Sequence, residues 1–165
     1  MPETRAAEAV RVARDLLEEE GEAALSMRRL AAAMGIRAPS LYKHVPDKAA
    51  LEVALIAAGL AEAGGAMAAA RGSLAGLARA YREWALAHPH LYLLMTERPL
   101  PRDRLPAGLE DAAASPLVQL TGDEHQARAL WAAAHGLVAL ELHDRFPPDA
   151  DLDAAWAALV AAFAG

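Results

Sequence analysis

The sequence contains no cysteine, and this absence removes several classes of site. Without cysteine the chain can form neither disulfides nor thiolate zinc sites, and it has no thiol nucleophile. β-Branched residues are few, and no segment alternates apolar and polar side chains as a half-buried strand does. The lack of cysteine fits the reducing cytoplasm, which is the location we expect.

A membrane partner is not expected either. The N-terminus reads Met-Pro-Glu-Thr-Arg and lacks the apolar segment of a secretory signal peptide. The most apolar window, residues 49–70, contains Glu52, Glu62 and three glycines. We interpret this window as a long core helix rather than a membrane span.

What the sequence does have is apolar and helix-forming residues. Hydrophobic residues make up 55% of the 165 residues, and much of that share is alanine, which favours helix. Thr4 and Ser26 suit N-caps, and Thr121 to Glu124 has the form of a capping box. The pattern predicts about nine helices, at residues 5–20, 27–34, 38–46, 48–71, 73–88, 89–95, 105–114, 122–144 and 151–164.

Charge is unevenly distributed along the chain. The formal net charge is −6, which argues at first against a nucleic-acid partner. Residues 26–48, however, carry five basic side chains and Asp47 as their one acid. A small basic segment on an acidic body suits local contact with phosphates.

This basic segment has the pattern of a short helix, a glycine turn, a second short helix and the start of a third. Such a unit places its second short helix in a DNA major groove about 12 Å wide. Projected as a helix, residues 38–46 turn Leu41 and Val45 toward the core. The outer side is short, polar and basic: Pro39, Ser40 and Lys43 face outward, with Tyr42 and His44 on the flanks.

The segment "LSMRRLAAAMGIRAPSLYKHVPDKAAL" (25–51) resembles the DNA-binding head of the TetR family, in its "LA…G…LYxH" core and in the lysine that opens the next helix. The resemblance covers about residues 4–51. It implies contacts to DNA bases from Arg28, Arg37, Ala38, Pro39, Ser40 and Lys43. It implies contacts to phosphates from Ser26 or Met27 and from Tyr42, His44 and Lys48.

The sequence departs from the family pattern in two places. Val45 and Pro46 stand where many members have an aromatic residue and a polar or basic residue. Val45 can still fill the core, but Pro46 leaves no cation there. Ala38 can make only an apolar contact, such as with a thymine methyl group. Lys48 opens the fourth helix, where we expect the helix N-terminus and the cation to hold one phosphate together.

The C-terminal part contains two apolar helices that suit dimerisation. The predicted helix 122–144 has small residues on one face and large ones on the other, so we expect it to be buried on two sides. TetR-family members dimerise through their last two long helices, and the pattern agrees with a homodimer that binds a palindromic operator. The C-terminal part also resembles the WHG-type C-terminal domain of some members, over about residues 73–163. The residues that carry this resemblance are Trp131, His135 and Gly136, together with Tyr81, Trp84, His88, Pro89 and Tyr92.

We therefore predict an all-α fold with two parts. Residues 1–48 form a three-helix helix-turn-helix head that binds double-stranded DNA, and residues 49–165 form a helical-bundle body for ligand sensing and dimerisation. The family resemblance implies a transcriptional repressor that an unidentified small-molecule effector releases. The predicted effector pocket lies where helices 5, 6 and 8 meet, and its candidate residues are Tyr81, Trp84, Tyr92, Met95, Trp131 and His135.

Each of these pocket residues can also be an ordinary core residue. Glu141 either meets a cationic ligand or, more simply, pairs with Arg145 one helical turn away. The six histidines do not form a ligand set, and the sequence shows no phosphate-binding glycine loop or nucleophile motif. We expect no metal, no cofactor and no enzymatic activity. The alternatives are a helical protein-interaction module without DNA binding, and a helical-bundle enzyme or small-molecule carrier.

Overall fold

The computed structural model describes residues 4–70 and 72–164, and within these residues every regular element is helical. The described part contains nine α-helices and a 3₁₀ turn at Glu22–Ala24. The prediction of an all-α chain of about nine helices is confirmed. The helices are α1 (Arg5–Glu20), α2 (Met27–Ala33), α3 (Ala38–Leu41), α4 (Lys48–Ala69), α5 (Leu74–Ala87), α6 (Pro89–Thr96), α7 (Leu109–Thr121), α8 (Glu124–Leu142) and α9 (Leu152–Phe163).

Side-chain caps fix several helix starts where the sequence predicted them. The hydroxyl of Thr4 accepts a hydrogen bond from the Ala7 N–H at 3.2 Å, and the carboxylate of Asp151 accepts one from the Ala154 N–H at 2.9 Å. Each bond satisfies one of the amide groups that a helix start leaves without a partner. Arg71, to which we extended α4, lies outside the described residues.

The predictions for α3, α7 and the start of α8 were wrong. The helix α3 ends at Leu41 and continues only as a turn through His44. The helix α7 runs past Pro116 to Thr121, because Leu117 beyond the proline is buried in the core. Thr121 is therefore the last residue of α7, and Asp123 is the residue that caps α8, accepting from the Gln126 N–H at 2.8 Å.

The chain forms two compact units. The first, unit 1, comprises residues 4–59 and His88–Ala107 and so contains α1, α2, α3, the first half of α4, and α6 with the loop that follows it. The carboxylate of Glu18 on α1 accepts from the N–H groups of His90 and Leu91 at 3.2 and 3.1 Å, so it caps α6 from outside. Unit 1 has an apolar core that includes Leu17, Leu30, Leu41, Leu51, Leu91 and Tyr92.

The helices α4 and α6 approach closely within unit 1 because of one glycine. The sulfur of Met95 and the side chain of Leu91 occupy the space that a side chain at Gly59 would fill. By length and composition alone α4 is apolar enough to span a membrane, yet it carries Glu52 and Glu62. The buried side chains of Leu51 and Leu55 agree with a core helix.

The second compact unit, unit 2, comprises Leu60–Ala87 without residue 71 and residues 108–164. Here α5 packs on α7, α8 and α9, and α8 packs on both α7 and α9. The buried side chains of unit 2 include Leu77, Tyr81, Trp84, Leu117, Leu130, Val138 and Trp156. The two compact units divide after Gly59, within α4, whereas the predicted functional boundary after residue 48 falls at the first residue of this helix and stays a prediction.

Candidate nucleic-acid interface

The turn between α2 and α3 is built from backbone hydrogen bonds. The Gly35 N–H donates to the Ala32 carbonyl at 3.1 Å, and the Ile36 N–H donates to the Ala31 carbonyl at 3.0 Å. This pair of bonds is the Schellman motif, which needs a left-handed residue, and Gly35 has φ +65°. The motif ends α2 sharply and sets the direction in which the chain enters α3.

Two buried side chains hold α3 against unit 1. Leu41 is fully buried and Val45 is nearly so, as the helical projection predicted. Pro39 stands in the first turn of α3, where its missing N–H costs nothing. The remaining side chains form an outward surface: Pro39, Ser40, Tyr42, Lys43 and His44 are exposed, and Ala38 is half-exposed.

Three cations on this surface have no carboxylate partner among the residues that the structure describes. Arg28, Arg37 and Lys43 are exposed, and among residues 4–70 and 72–164 no carboxylate lies within ion-pair distance of them. In contrast, Arg29 is paired with Glu20 of α1. An unpaired exposed cation keeps its full field and all of its donors for an anionic partner.

The start of α2 differs in detail from what the resemblance implied. The side chain of Met27 is buried, so its own contact with a phosphate is restricted to the backbone N–H. The hydroxyl of Ser26 accepts from the Arg29 N–H at 3.2 Å as an N-cap, which leaves its O–H free to donate.

The start of α4 carries an acid as well as the predicted cation. The carboxylate of Asp47 accepts from the Ala50 N–H at 2.6 Å, so it takes one of the amide groups we had assigned to a phosphate. Lys48 is exposed, and its ammonium lies 3.4 Å from the carboxylate of Glu52. A phosphate bound by Lys48 would therefore also lie close to the carboxylates of Asp47 and Glu52.

The six candidate pocket residues divide between the two units. In unit 2, Tyr81 and Trp131 line an apolar cavity of about 20 Å³, and the ring of Trp131 stacks on His135 at 6.0 Å between centroids. Trp84 is buried in unit 2 without lining this cavity, and Tyr92 and Met95 belong to unit 1. The other residues that line the cavity are Met67, Leu74, Leu77, Ala78, Leu117, Leu130 and Ala134.

A polar cluster in unit 2 was not foreseen. The guanidinium of Arg82 donates two hydrogen bonds to one carboxylate oxygen of Glu141, at 3.0 and 2.9 Å, and the indole N–H of Trp156 donates to the other oxygen at 2.6 Å. The expected pair between Glu141 and Arg145 was therefore wrong. The cluster joins α5, α8 and α9, and no spacing along the sequence signals a contact between residues 59 positions apart.

The burial and the bonds of Arg82 act on its pKa in opposite directions. Burial alone would lower the pKa, whereas the hydrogen bonds to Asp153 and Glu141 raise it, and the net effect is a raised pKa. Arg82 also lies over the ring of Trp156, with its guanidinium carbon 5.7 Å from the ring centroid. The cluster therefore has a permanently charged centre.

Comparison with known proteins finds two family models that match this chain. Residues 9–55 match the model of the family described as "Bacterial regulatory proteins, tetR family", and residues 74–163 match the "Tetracyclin repressor-like, C-terminal domain". The chain belongs to the TetR family. As a TetR-family protein it is a DNA-binding transcriptional regulator and not an enzyme, and the second match coincides with the range of the C-terminal resemblance noted above.

A curated relative and solved structures agree with this assignment. The chain is 31% identical over 159 residues to the HTH-type transcriptional regulator Rv0681 of Mycobacterium tuberculosis, itself uncharacterised, and the match covers 87% of this chain and 72% of the relative. The crystal structure of SCO4313, assigned as a regulatory protein, is similar with a TM-score of 0.81 at 26% identity and covers 100% of both chains. The multidrug binding protein EbrR has the same fold, with a TM-score of 0.73 at 24% identity over 99% of this chain and 97% of EbrR.

Proposed function

We propose that this TetR-family regulator is a cytoplasmic homodimeric repressor that binds a palindromic operator and is released by a small molecule. The observation that carries the proposal is a set of exposed cations on the helix-turn-helix that have no ion-pair partner in the described part of the chain: Arg28, Arg37 and Lys43. Arg28 stands on α2, Arg37 directly precedes α3 and Lys43 lies in the turn that follows α3, and Ser40 and Tyr42 are exposed in the same segment. Base contacts are assigned to Arg28, Arg37, Ala38, Pro39, Ser40 and Lys43, and phosphate contacts to Ser26, the Met27 backbone, Tyr42, His44 and Lys48.

Dimerisation is supported by the apolar faces that unit 2 leaves exposed. On α8 the small residues Ala129, Ala132 and Ala133 are exposed, and Trp131 is 49% exposed. The C-terminal helix α9 likewise exposes several alanines to solvent. Small side chains allow two helices to approach closely, so a second copy of the chain would bury these faces in a bundle of four helices.

Effector binding is supported by the apolar cavity in unit 2. A volume of about 20 Å³ is too small for an effector, so binding must expand the cavity. Trp131 lines the cavity and is about half exposed within one copy of the chain, so it is held less firmly there than the buried lining residues until the proposed second copy covers it. An uncharged, apolar effector fits a lining that has no charged side chain.

The test is DNA binding by the full chain with a fluorescently labelled duplex taken from the DNA that flanks its own gene. We expect tighter binding to this duplex than to a scrambled duplex of the same length and composition, by at least about a thousandfold. The labelled duplex should show one dimer bound per site. Equal and weak binding of both duplexes at every salt concentration would contradict the operator-specific repressor.

A further inference from the structure

The loop that follows α6 carries three arginines and lies in the same compact unit as the helix-turn-helix. Residues 97–107 contain Arg98, Arg102 and Arg104 together with three prolines. The Arg102 N–H donates to the Leu100 carbonyl and the Arg104 N–H donates to the Pro101 carbonyl, both at 2.9 Å. The loop backbone is thus held in a tight turn, and prolines fix φ on both sides of it.

Arg98 attaches the start of this loop to the helix-turn-helix side of unit 1. Its guanidinium pairs with Glu22, in the turn after α1, and lies 3.7 Å from the carboxylate of Glu52, in the second turn of α4. Two carboxylates therefore share the charge of Arg98, which makes Arg98 an anchor for the loop rather than a free cation.

Arg104, later in the same loop, lies close to Asp47, the residue that directly precedes α4. Its guanidinium lies 4.0 Å from the carboxylate of Asp47, which stands directly before Lys48. The side chain of Arg104 is 42% exposed, and Asp47 is the one carboxylate within ion-pair distance of it among the residues that the structure describes. At this distance Asp47 accepts no hydrogen bond from Arg104, so the guanidinium donors remain available.

We propose that Arg104 is a further contact to a DNA phosphate, supplied by the loop after α6 at the start of α4. The inference rests on the proposed operator binding through Lys48. A phosphate at Lys48 meets the negative charge of Asp47, and Arg104 offsets that charge and adds a planar set of donors suited to phosphate oxygens. The DNA-binding surface then extends beyond the helix-turn-helix to a segment from the far part of the sequence.

The test measures binding of the full chain to the flanking duplex over a series of salt concentrations. Arg104→Gln should weaken binding about three- to tenfold near 0.1 M salt and reduce the steepness of log K against log salt by about 0.9, the contribution of one phosphate. Arg104→Lys, which keeps the charge, should keep the slope. Thermal melting followed by circular dichroism establishes that each variant is folded.

A second pair of variants separates direct contact from neutralisation of Asp47. In the Asp47→Asn background, where asparagine still caps α4, Arg104→Gln should again lose affinity and slope. Full recovery in the double variant would mean that Arg104 acts only on Asp47, and the proposal would be wrong. An unchanged slope in Arg104→Gln would also overturn it.

The control is Arg79→Gln, which removes one exposed positive charge from α5 in unit 2 and not from the α8 face proposed for dimerisation. We expect the salt slope of this variant to match that of the wild type. If its slope falls as much as that of Arg104→Gln, the change in slope follows from net charge alone and the proposal is wrong. The slope comparison is equally valid on a scrambled duplex. If the wild type binds the flanking and the scrambled duplex equally well, the proposed function is contradicted, and the salt slopes of the variants still decide the role of Arg104.

Discussion

At the scale of single residues, this protein separates cations that bind from cations that hold the fold. Arg28 and Arg29 are neighbours in sequence, yet Arg29 is paired with Glu20 and Arg28 is not paired within the described chain. The sequence shows that positive charge is concentrated in residues 26–48. It cannot show which of these charges is neutralised, because pairing depends on how the turn after α1 folds back.

Substitutions of Lys43 and Lys48 are expected to affect DNA binding in different ways. Lys43→Ala should reduce the preference for the operator over scrambled DNA about tenfold, because one good base contact is worth about 1–3 kcal/mol. Lys48→Ala should weaken binding to both duplexes alike and reduce the salt slope by about 0.9. Anisotropy titrations on both duplexes measure the two effects, and identical behaviour of the two variants would contradict their assignment to base and phosphate.

Glu141 is expected to be a main contributor to the stability of unit 2. Glu141→Gln should lower the free energy of unfolding by about 2 kcal/mol, because the half-buried guanidinium of Arg82 loses a charged partner. The matched control is Glu124→Gln, whose pair with Arg128 is exposed and should contribute less than about 1 kcal/mol. Urea unfolding of the two variants measures these losses. Equal losses of unfolding free energy would show that the buried cluster stabilises unit 2 no more than an exposed ion pair does.

At the scale of elements, local signals predicted those boundaries that local contacts determine. The bounds of α1 agree with the prediction because Thr4 and Gly21 act within one turn of the helix ends. The bounds of α7 could not be predicted, since its start follows the left-handed Gly108 and its continuation past Pro116 depends on the burial of Leu117. The contacts of Arg104 and Arg82 were missed for the same reason, since each joins elements far apart in sequence.

The cap of α8 should make the stability of unit 2 depend on pH. The hydrogen bond from the Gln126 N–H lowers the pKa of Asp123, and the desolvation of the carboxyl acts in the opposite direction without cancelling this effect. A carboxyl with a lowered folded-state pKa stabilises above its unfolded pKa, and this stabilisation is lost as the pH falls through the folded pKa. The loss is therefore expected in acid, as the pH falls below the ordinary pKa of an aspartate carboxyl, which is about 3.9.

The variant Asp123→Asn isolates this dependence, because asparagine caps a helix but does not titrate in this range. The melting temperature of the wild type should fall more steeply with acid than that of Asp123→Asn. Parallel curves for the two proteins from neutral pH to pH 3 would show that the Asp123 carboxylate does not contribute through its charge.

At the scale of the whole molecule, the exposed faces of α8 and α9 matter most. A helix in contact with water on one side normally carries polar residues there, yet α8 exposes Ala129, Ala132, Ala133 and Trp131. A side chain at Gly136 would meet no neighbouring atom within 4 Å inside the described chain. These features agree with a face that a second copy covers, and the proposed operator binding requires such a dimer.

The last prediction tests that dimer directly. Ala133→Glu places a charge in the proposed interface, where burying an unpaired carboxylate is costly, so the variant should be monomeric in sedimentation experiments at micromolar concentration. Its operator affinity should fall at least about a hundredfold, because two recognition helices no longer bind as one unit. The control is Ala112→Glu on α7, also an exposed alanine in a helix, which should leave both properties unchanged. A dimeric Ala133→Glu protein with full operator affinity would place the interface elsewhere on the molecule.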